Sequence, residues 1–430
     1  MKTVTIHILG CRVNQSEGES FLEYFKRAGY QVVPFGTAAD VTLIHTCTVT
    51  GQADSKSRQM IRKGRKASPG GVVVVTGCYA QTQPELLREM PEADLIIGMK
   101  DRHRILQLVE DYRSHGVHVF PLRNEYRFEE LLQASPDTTR AFLKIQEGCD
   151  SYCTYCIIPT ARGPVRSREE GEILSEIESL QNKGYQEVVL TGIHTGAYGK
   201  ERSGSLAELM RRILEETEIP RIRLGSLDPN EITEEFCQIF ADPRFMPHIH
   251  LSLQSGDDGV LHRMKRRYDA ADYRETVKKL KGIKGASLSV TADVMVGFPG
   301  ETEEEHASSM SFIRSAGIDN LHVFKYSRRK GTKAAEYPDQ ISKEVKNERG
   351  AEVAALGAAL HEAFLESQQD KETTVLLEEQ GPGNEVSGYG ENFLRVRILQ
   401  GGGCKLNTLV PVRITGWAGD DLIGEVKGNE

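Results

Sequence analysis

Three cysteines within eight residues constrain this chain more than any other feature. They lie in the run Glu147-Gly148-Cys149-Asp150-Ser151-Tyr152-Cys153-Thr154-Tyr155-Cys156, with spacing C-x3-C-x2-C. A loop carrying three thiols this close must be presented by a scaffold that lets them converge. Cys thiolates are the normal ligands of a 4Fe–4S cluster. Three of them hold three irons and leave the fourth open to an exchangeable ligand, a place an electron-carrying ferredoxin fills with a fourth cysteine. Zinc is the competing metal, but a structural zinc site wants a fourth Cys or His roughly 2–5 residues away, and none stands there. Unconnected cysteines are the bland alternative.

The scaffold is legible on both sides of this loop. Residues 4–9, 41–45, 72–76 and 94–97 are short apolar runs rich in β-branched residues, separated by helical patterns such as 16–28 and 53–66. That alternation predicts a doubly wound parallel sheet over residues 1–115. A polar stretch containing Ser135-Pro136-Asp137 marks a linker over 116–138. Strand patterns at 142–146, 187–191, 221–225, 248–253, 287–296 and 320–326 alternate with helical ones up to a long helix at 342–369. Six βα units predict a partial (βα)6 barrel over 139–368, with the cysteine loop after its first strand, where active-site loops gather. Residues 369–430 hold short strand patterns at 373–379, 393–399, 409–415 and 422–426, interrupted by Gly381-Pro382-Gly383 and Gly401-Gly402-Gly403. They predict a small all-β, OB-like barrel. The fold class is therefore α/β with a β-barrel appendage.

The remaining cysteines repeat the theme. Cys11, Cys47 and Cys78 each follow a predicted strand of the N-terminal sheet. In open α/β sheets, ligands bind at the carboxyl ends of the strands. One such cysteine alone is more often a small buried residue; three on one edge point to a second three-thiolate metal site. Cys237 and Cys404 read as core and incidental. Eight cysteines in 430 residues are too sparse for a disulfide scaffold. No window reaches ~18 uninterrupted apolar residues, and the N-terminus reads as a strand. The expectation is a cytoplasmic protein with reduced thiols and no membrane association.

Cys149, Cys153, Tyr155 and Cys156 match the C-x3-C-x-(aromatic)-C hallmark of the radical S-adenosylmethionine (SAM) superfamily, which this sequence resembles. The resemblance implies that the open iron chelates SAM, that Tyr155 lies against its adenine, and that reductive cleavage yields a 5′-deoxyadenosyl radical. Gly192, Gln254 and Asp293, at predicted strand ends, are candidate SAM or substrate contacts. His194 lies there too and reads as a packed or hydrogen-bonded histidine.

Across essentially its whole length the chain resembles the methylthiotransferase family. Gly10-Cys11-Arg12-Val13-Asn14, Thr46-Cys47-Thr48-Val49-Thr50 and Thr76-Gly77-Cys78-Tyr79-Ala80 match its three N-terminal cysteine motifs. Leu253-Gln254-Ser255-Gly256 and Gly297-Phe298-Pro299-Gly300-Glu301-Thr302 match its barrel strand ends. Many relatives have Asn where His45 stands. The resemblance implies an auxiliary 4Fe–4S cluster on Cys11, Cys47 and Cys78, a radical-SAM core, and an RNA-binding C-terminal TRAM domain. It also implies two SAM molecules per product, a sulfur source and a low-potential electron donor. Gly10-Cys11-Arg12-Val13-Asn14 looks most like the branch that acts on threonylcarbamoyladenosine in tRNA. Branches acting on isopentenyladenosine in tRNA or on a ribosomal-protein aspartate are the alternatives.

Composition bears on the RNA partner. A net charge of −8 excludes a dominantly electrostatic nucleic-acid coat. Local basic stretches remain candidates for phosphate contacts: Lys56, Arg58, Arg62, Lys63, Arg65 and Lys66 on one predicted helix, and residues 262–267 and 325–333. A solvated helix face explains each equally well. In the C-terminal region Phe393, Arg395 and Arg397 alternate as in a stacking strand, although core packing suits Phe393 better.

Overall fold

A computed structural model describes residues 1–115, 118–119, 128–132 and 139–427. Most of the expected linker at 116–138 lies outside the described residues. Of its described parts, 118–119 form a strand of the N-terminal sheet rather than linker, and 128–132 packs onto the N-terminal core through Leu131, with Glu129 accepting from Arg102 Nε at 2.8 Å.

The N-terminal sheet contains β1 (Thr3–Ile8), β2 (Gln31–Val32), β3 (Val41–Thr46), β4 (Val72–Gly77), β5 (Leu95–Ile97) and β6 (His118–Val119). They run in the order β2-β1-β3-β4-β5-β6, all parallel. β3 and β4 are buried along their whole length, as parallel strands covered on both faces must be. Strand alternation splits their side chains between two cores. Leu43, Val72 and Val74 join Phe21 and Phe25 on one face, while Ile44, Val73 and Val75 join Ile61 and Tyr79 on the other. The two-residue β2 has no sequence signature and is fully exposed.

Seven strands follow: β7 (Arg140–Glu147), β8 (Arg166–Ser167), β9 (Glu187–Gly192), β10 (Arg221–Leu224), β11 (His248–His250), β12 (Ser289–Val296) and β13 (Asn320–Lys325). Apart from β8, a short antiparallel edge on β7, their ladders are parallel. β7-β9-β10 and β11-β12-β13 are joined by the bridges Ile222↔Phe245 and Leu227↔Leu251. The result is a partial (βα)6 barrel. Three of its helices begin at side-chain caps: Ser205 accepts from Glu208 N, and Asp269 and Thr302 form capping boxes with Asp272 and Glu305.

The long helix Lys343–Ser367 leads into a closed five-stranded barrel of β14 (Glu372–Gln380), β15 (Val386–Tyr389), β16 (Arg395–Ile398), β17 (Leu409–Ala418) and β18 (Asp421–Val426). β15 has no counterpart among the strands expected from sequence, because its run Val-Ser-Gly-Tyr is short and interrupted by Gly388. A Cβ on Gly388 would stand 1.8 Å from Leu376 O, so only glycine lets these strands approach. This barrel docks on the amino ends of β9 and β10. Arg223 donates to Gly390 O and Glu391 O, both at 2.8 Å, and Arg221 to Thr374 O at 3.2 Å.

A buried charge network joins the N-terminal sheet to the large barrel. Glu17, on the helix Arg12–Arg27, contacts Arg102 at 2.9 Å, Lys144 at 2.8 Å and Arg162 at 3.0 Å. Glu147 contacts Arg162 at 2.8 Å and Lys144 at 3.0 Å. His45 Nε2 lies 3.2 Å from Glu17, so this histidine belongs to the network. Burial opposes ionisation of Glu17, but Arg102, Arg162 and Lys144 outweigh it and hold its carboxyl well below the ordinary value of 4.5.

Removing one member of such a set leaves the others buried and uncompensated. Glu17→Ala is expected to cost about 3–5 kcal/mol, read as a lower urea midpoint. A depressed carboxyl stabilises fully above its unfolded pKa and loses that contribution as pH falls through its folded one. Glu17→Ala should therefore also flatten the loss of stability below about pH 4.5.

Candidate functional site

The chain leaves β1, adds β2 on one side, and returns to place β3 on the other. The crevice between β1 and β3 is the topological switch point of this sheet. Cys11 and Cys47 follow those two strands, and Cys78 follows β4. Asn14 Nδ2 ties the edge together, donating to Leu9 O at 2.6 Å and Thr46 O at 3.0 Å. Gly10 has φ +100°, and a Cβ there would stand 2.9 Å from Cys47 Sγ, so a side chain would block the approach of the Cys11 turn to Cys47. Burial and then the neighbouring Cys78 push the Cys47 thiol up to about 11. Burial raises Cys78 too, opposed by Arg162, whose Nε donates to Cys78 Sγ at 3.3 Å.

The second set sits where β7 ends. Gly148 has φ +77°, and a Cβ there would fall 1.8 Å from Pro164 O. The loop is pinned by Cys149 N donating to Gly163 O and Cys156 N to Cys153 O, both at 3.0 Å. Two cationic groups face these sulfurs. Arg266 Nη1 donates to Cys153 Sγ at 3.3 Å and also binds Asp228. His194 Nδ1 lies 3.5 Å from Cys149 Sγ, and its Nε2 is 2.6 Å from Glu231, close but poorly aligned for a hydrogen bond. Burial disfavours the charged imidazole, but Cys149 and Glu231 outweigh it and push His194 up to about 10. Burial would likewise raise Cys149; the bond to His194 reverses it and leaves that thiol lowered. Cys156 is pushed up to about 12 by burial, which the Ile158 backbone N–H and Arg266 do not offset.

These donor sets fit iron–sulfur clusters. Thiols bind such a cluster as thiolates, releasing their protons, and the arginine and histidine donors that reach Cys78, Cys149 and Cys153 can serve cluster-bound sulfur. Among the described residues no three His, Cys, Asp or Glu side chains are grouped to hold a single ion. A cubane, which binds each thiolate through a different iron, asks for a wider separation.

Two cavities adjoin the cysteines and share Asp293 as a wall residue. The smaller, about 150 Å³, is lined by Tyr155, Cys156, Gln254, Asp293 and Met295, with Val49 and Thr50 reaching in from just beyond Cys47. Three of the four contacts expected for SAM or substrate therefore line one cavity. Gly192 lines the other, about 560 Å³, with Cys11, Arg12, Thr191 and His250. Gln254 holds the left-handed φ of +69°, and its N–H donates to Asp293 O at 2.7 Å.

Tyr389 and Phe393 of the C-terminal barrel line the larger cavity from the amino ends of the strands. Neither core packing nor a strand position describes Phe393. It sits in the turn before β16 with φ +67°, stacked on Tyr389 at 5.0 Å and 4.8 Å from the His248 ring. Arg162, Arg266 and Tyr389 carry no local motif that singles them out. The basic stretches are partly consumed internally. Arg65 binds Asp94, Arg263 binds Glu305, Arg266 binds Asp228 and Arg329 binds Asp54. They are structural cations more than a free phosphate-binding face.

Comparison with known proteins agrees with this architecture. Residues 3–98 match the family described as Uncharacterized protein family UPF0004, and residues 143–313 match the Radical SAM superfamily. The threonylcarbamoyladenosine tRNA methylthiotransferase MtaB of Bacillus subtilis is 40% identical over 427 residues, covering 96% of this chain and 94% of the relative. The protein of that name from Aquifex aeolicus is 36% identical, covering 88% of this chain and 93% of its own. The tRNA-2-methylthio-N(6)-dimethylallyladenosine synthase of Clostridium tetani is 30% identical, covering 98% and 96%. In fold alone, the chain is similar to the radical S-adenosylmethionine methyltransferase TsrM of Kitasatospora setae, with a TM-score of 0.57 and 14% identity over 78% of this chain and 77% of that one. With two three-cysteine sets on adjoining cavities and relatives alike over nearly its full length, the chain belongs to the radical-SAM methylthiotransferases.

Proposed function

We propose that this chain acts in the cytoplasm on tRNA and converts N6-threonylcarbamoyladenosine at position 37 to its 2-methylthio derivative. The observation that carries the reading is one cysteine of each set, Cys11 and Cys156, lining two cavities with a common wall at Asp293. The substrate follows from the 40% identity to a threonylcarbamoyladenosine tRNA methylthiotransferase. The isopentenyladenosine reading has a relative at 30%.

In this proposal Cys149, Cys153 and Cys156 hold the cluster that binds SAM, and Cys11, Cys47 and Cys78 hold the auxiliary cluster. When bound, these groups supply one-electron cleavage of SAM and the sulfur to be transferred. An adenine C2–H has no practical acid–base route, which is why such chemistry suits it. The chain's own work is to bind, orient and exclude water. Tyr155 and Met295 give the smaller cavity apolar walls for an adenine, and Gln254, Asp293 and Gly192 supply polar contacts and space. The C-terminal barrel acts as a TRAM-like RNA-binding domain that closes the larger cavity through Tyr389 and Phe393. A low-potential electron donor and a sulfur source complete the cycle.

The principal test is mass spectrometry of tRNA nucleosides from a strain lacking the gene. Threonylcarbamoyladenosine should accumulate as its 2-methylthio form disappears; loss of the isopentenyl counterpart instead would move the substrate to the other branch. In the reconstituted protein, Cys153→Ala should abolish SAM cleavage and retain about half the iron, on the N-terminal site. Cys47→Ala should keep some SAM cleavage and form no methylthiolated product. Normal product from Cys47→Ala would remove the N-terminal cysteines from the chemistry.

A further inference from the structure

Arg12 immediately follows Cys11 and lines the larger cavity. It is half-buried, yet no hydrogen bond or ion pair engages its guanidinium among the described residues. Two aromatic rings hold it instead, Phe393 at 5.3 Å and Phe142 at 5.9 Å from their centroids. At these distances the contact is a cation–π attraction, which takes up none of the guanidinium N–H donors in a hydrogen bond to oxygen. Around it, repulsion outweighs attraction. Arg140 and Arg223 repel it, and Glu187, the carboxylate within electrostatic reach, is taken up by Arg223 at 2.8 Å and Arg221 at 3.5 Å.

Asp420 and Asp421 also line the cavity, and no hydrogen bond or ion pair joins either to Arg12 among the described residues; other charged groups there are engaged elsewhere. Arg395 binds Glu379, and Asp293 lies 3.3 Å from His250. Burial holds His248 and His322 below the usual imidazole value and so uncharged. Arg12 is thus a cation positioned beside Cys11 with its fork of donors unspent, in a cavity where an unpaired charge is costly. Carboxylates and phosphates both match this fork in two parallel bonds; inside a cavity that takes the base rather than the backbone, the carboxylate is the anion to expect.

We propose that Arg12 is the specificity-determining residue of this cavity and receives a carboxylate on the substrate's side arm. This rests on the substrate reading above, since a threonylcarbamoyl arm ends in a carboxylate and an isopentenyl arm has no charge. A site built around a polar partner discriminates strongly against an analogue that lacks it.

The test uses the reconstituted two-cluster protein and three anticodon stem-loop RNAs, bearing threonylcarbamoyladenosine, its carboxylate methyl ester, or adenosine at the target position. Binding is read by fluorescence anisotropy and turnover by product mass, with iron content confirming that each variant is loaded. Arg12→Gln should weaken binding of the threonylcarbamoyl RNA and raise its KM by roughly 10- to 100-fold, leave adenosine RNA binding unchanged, and be partly rescued in Arg12→Lys. Wild-type protein should bind the ester as weakly as Arg12→Gln binds the acid, a comparison that stands even if the variant loads poorly. Equal weakening of all three RNAs would make Arg12 a phosphate contact and overturn the proposal, as would no loss with the ester. Wild-type protein that neither prefers nor converts the threonylcarbamoyl RNA would overturn the substrate reading itself, and the role of Arg12 with it.

Discussion

Glu17 and Arg162 form the contact on which the remaining geometry depends. Glu17 comes from the helix that follows Cys11, and Arg162 from the short helix Ile158–Arg162 that follows Cys156. Both are buried, and they meet at 3.0 Å. A paired charge in a dry interface tolerates little displacement, because any separation exposes each partner to its full desolvation cost. The N-terminal sheet is thereby held in register with the large barrel beside both cysteine sets. Arg162 extends the same constraint to sulfur by donating to Cys78 Sγ. A second tie lies across the mouth, where Arg329 donates to Thr48 Oγ1 at 2.6 Å and Ser327 accepts from Gly51 N at 3.0 Å.

The two thiol sets are built alike from unrelated parts. Each begins at the carboxyl end of a parallel strand, where the backbone turns through a glycine in the left-handed region: Gly10 before Cys11, Gly148 before Cys149. Each also receives cationic donors from outside its own motif, Arg162 for one and His194 with Arg266 for the other. Local sequence presents the sulfurs, and distant residues set the field around them. That division suits a site where a cofactor performs the hard chemistry and the protein tunes and encloses it.

Legibility in the sequence tracked the range of the interaction. The strands of the N-terminal sheet and the large barrel were readable because buried parallel strands are continuous apolar runs, and the cysteines because their spacing and strand-end placement are local. Gln254 and Asp293 are legible from position at strand ends and Tyr155 from the aromatic position of the cysteine motif, and all three line one cavity. β15 escaped because it is four residues with a central glycine. Phe393 was assigned to the core because an aromatic beside a strand usually packs inward; a left-handed turn aims it at the cavity instead. His45 had no reading from sequence, since its partner Glu17 lies 28 positions away.

By itself the sequence determined the fold class, the two sets of three cysteines and the chemistry such thiols favour, since hydrophobic period and ligand spacing are written along the chain. Tertiary structure alone decided that the cavities adjoin at Asp293, that Arg162 bridges the two halves, that the C-terminal barrel closes the larger cavity, and that Arg12 lines it with no ion-pair partner among the described residues. Those outcomes depend on which buried charges find partners across more than a hundred residues, and pairing at that distance has no local signature.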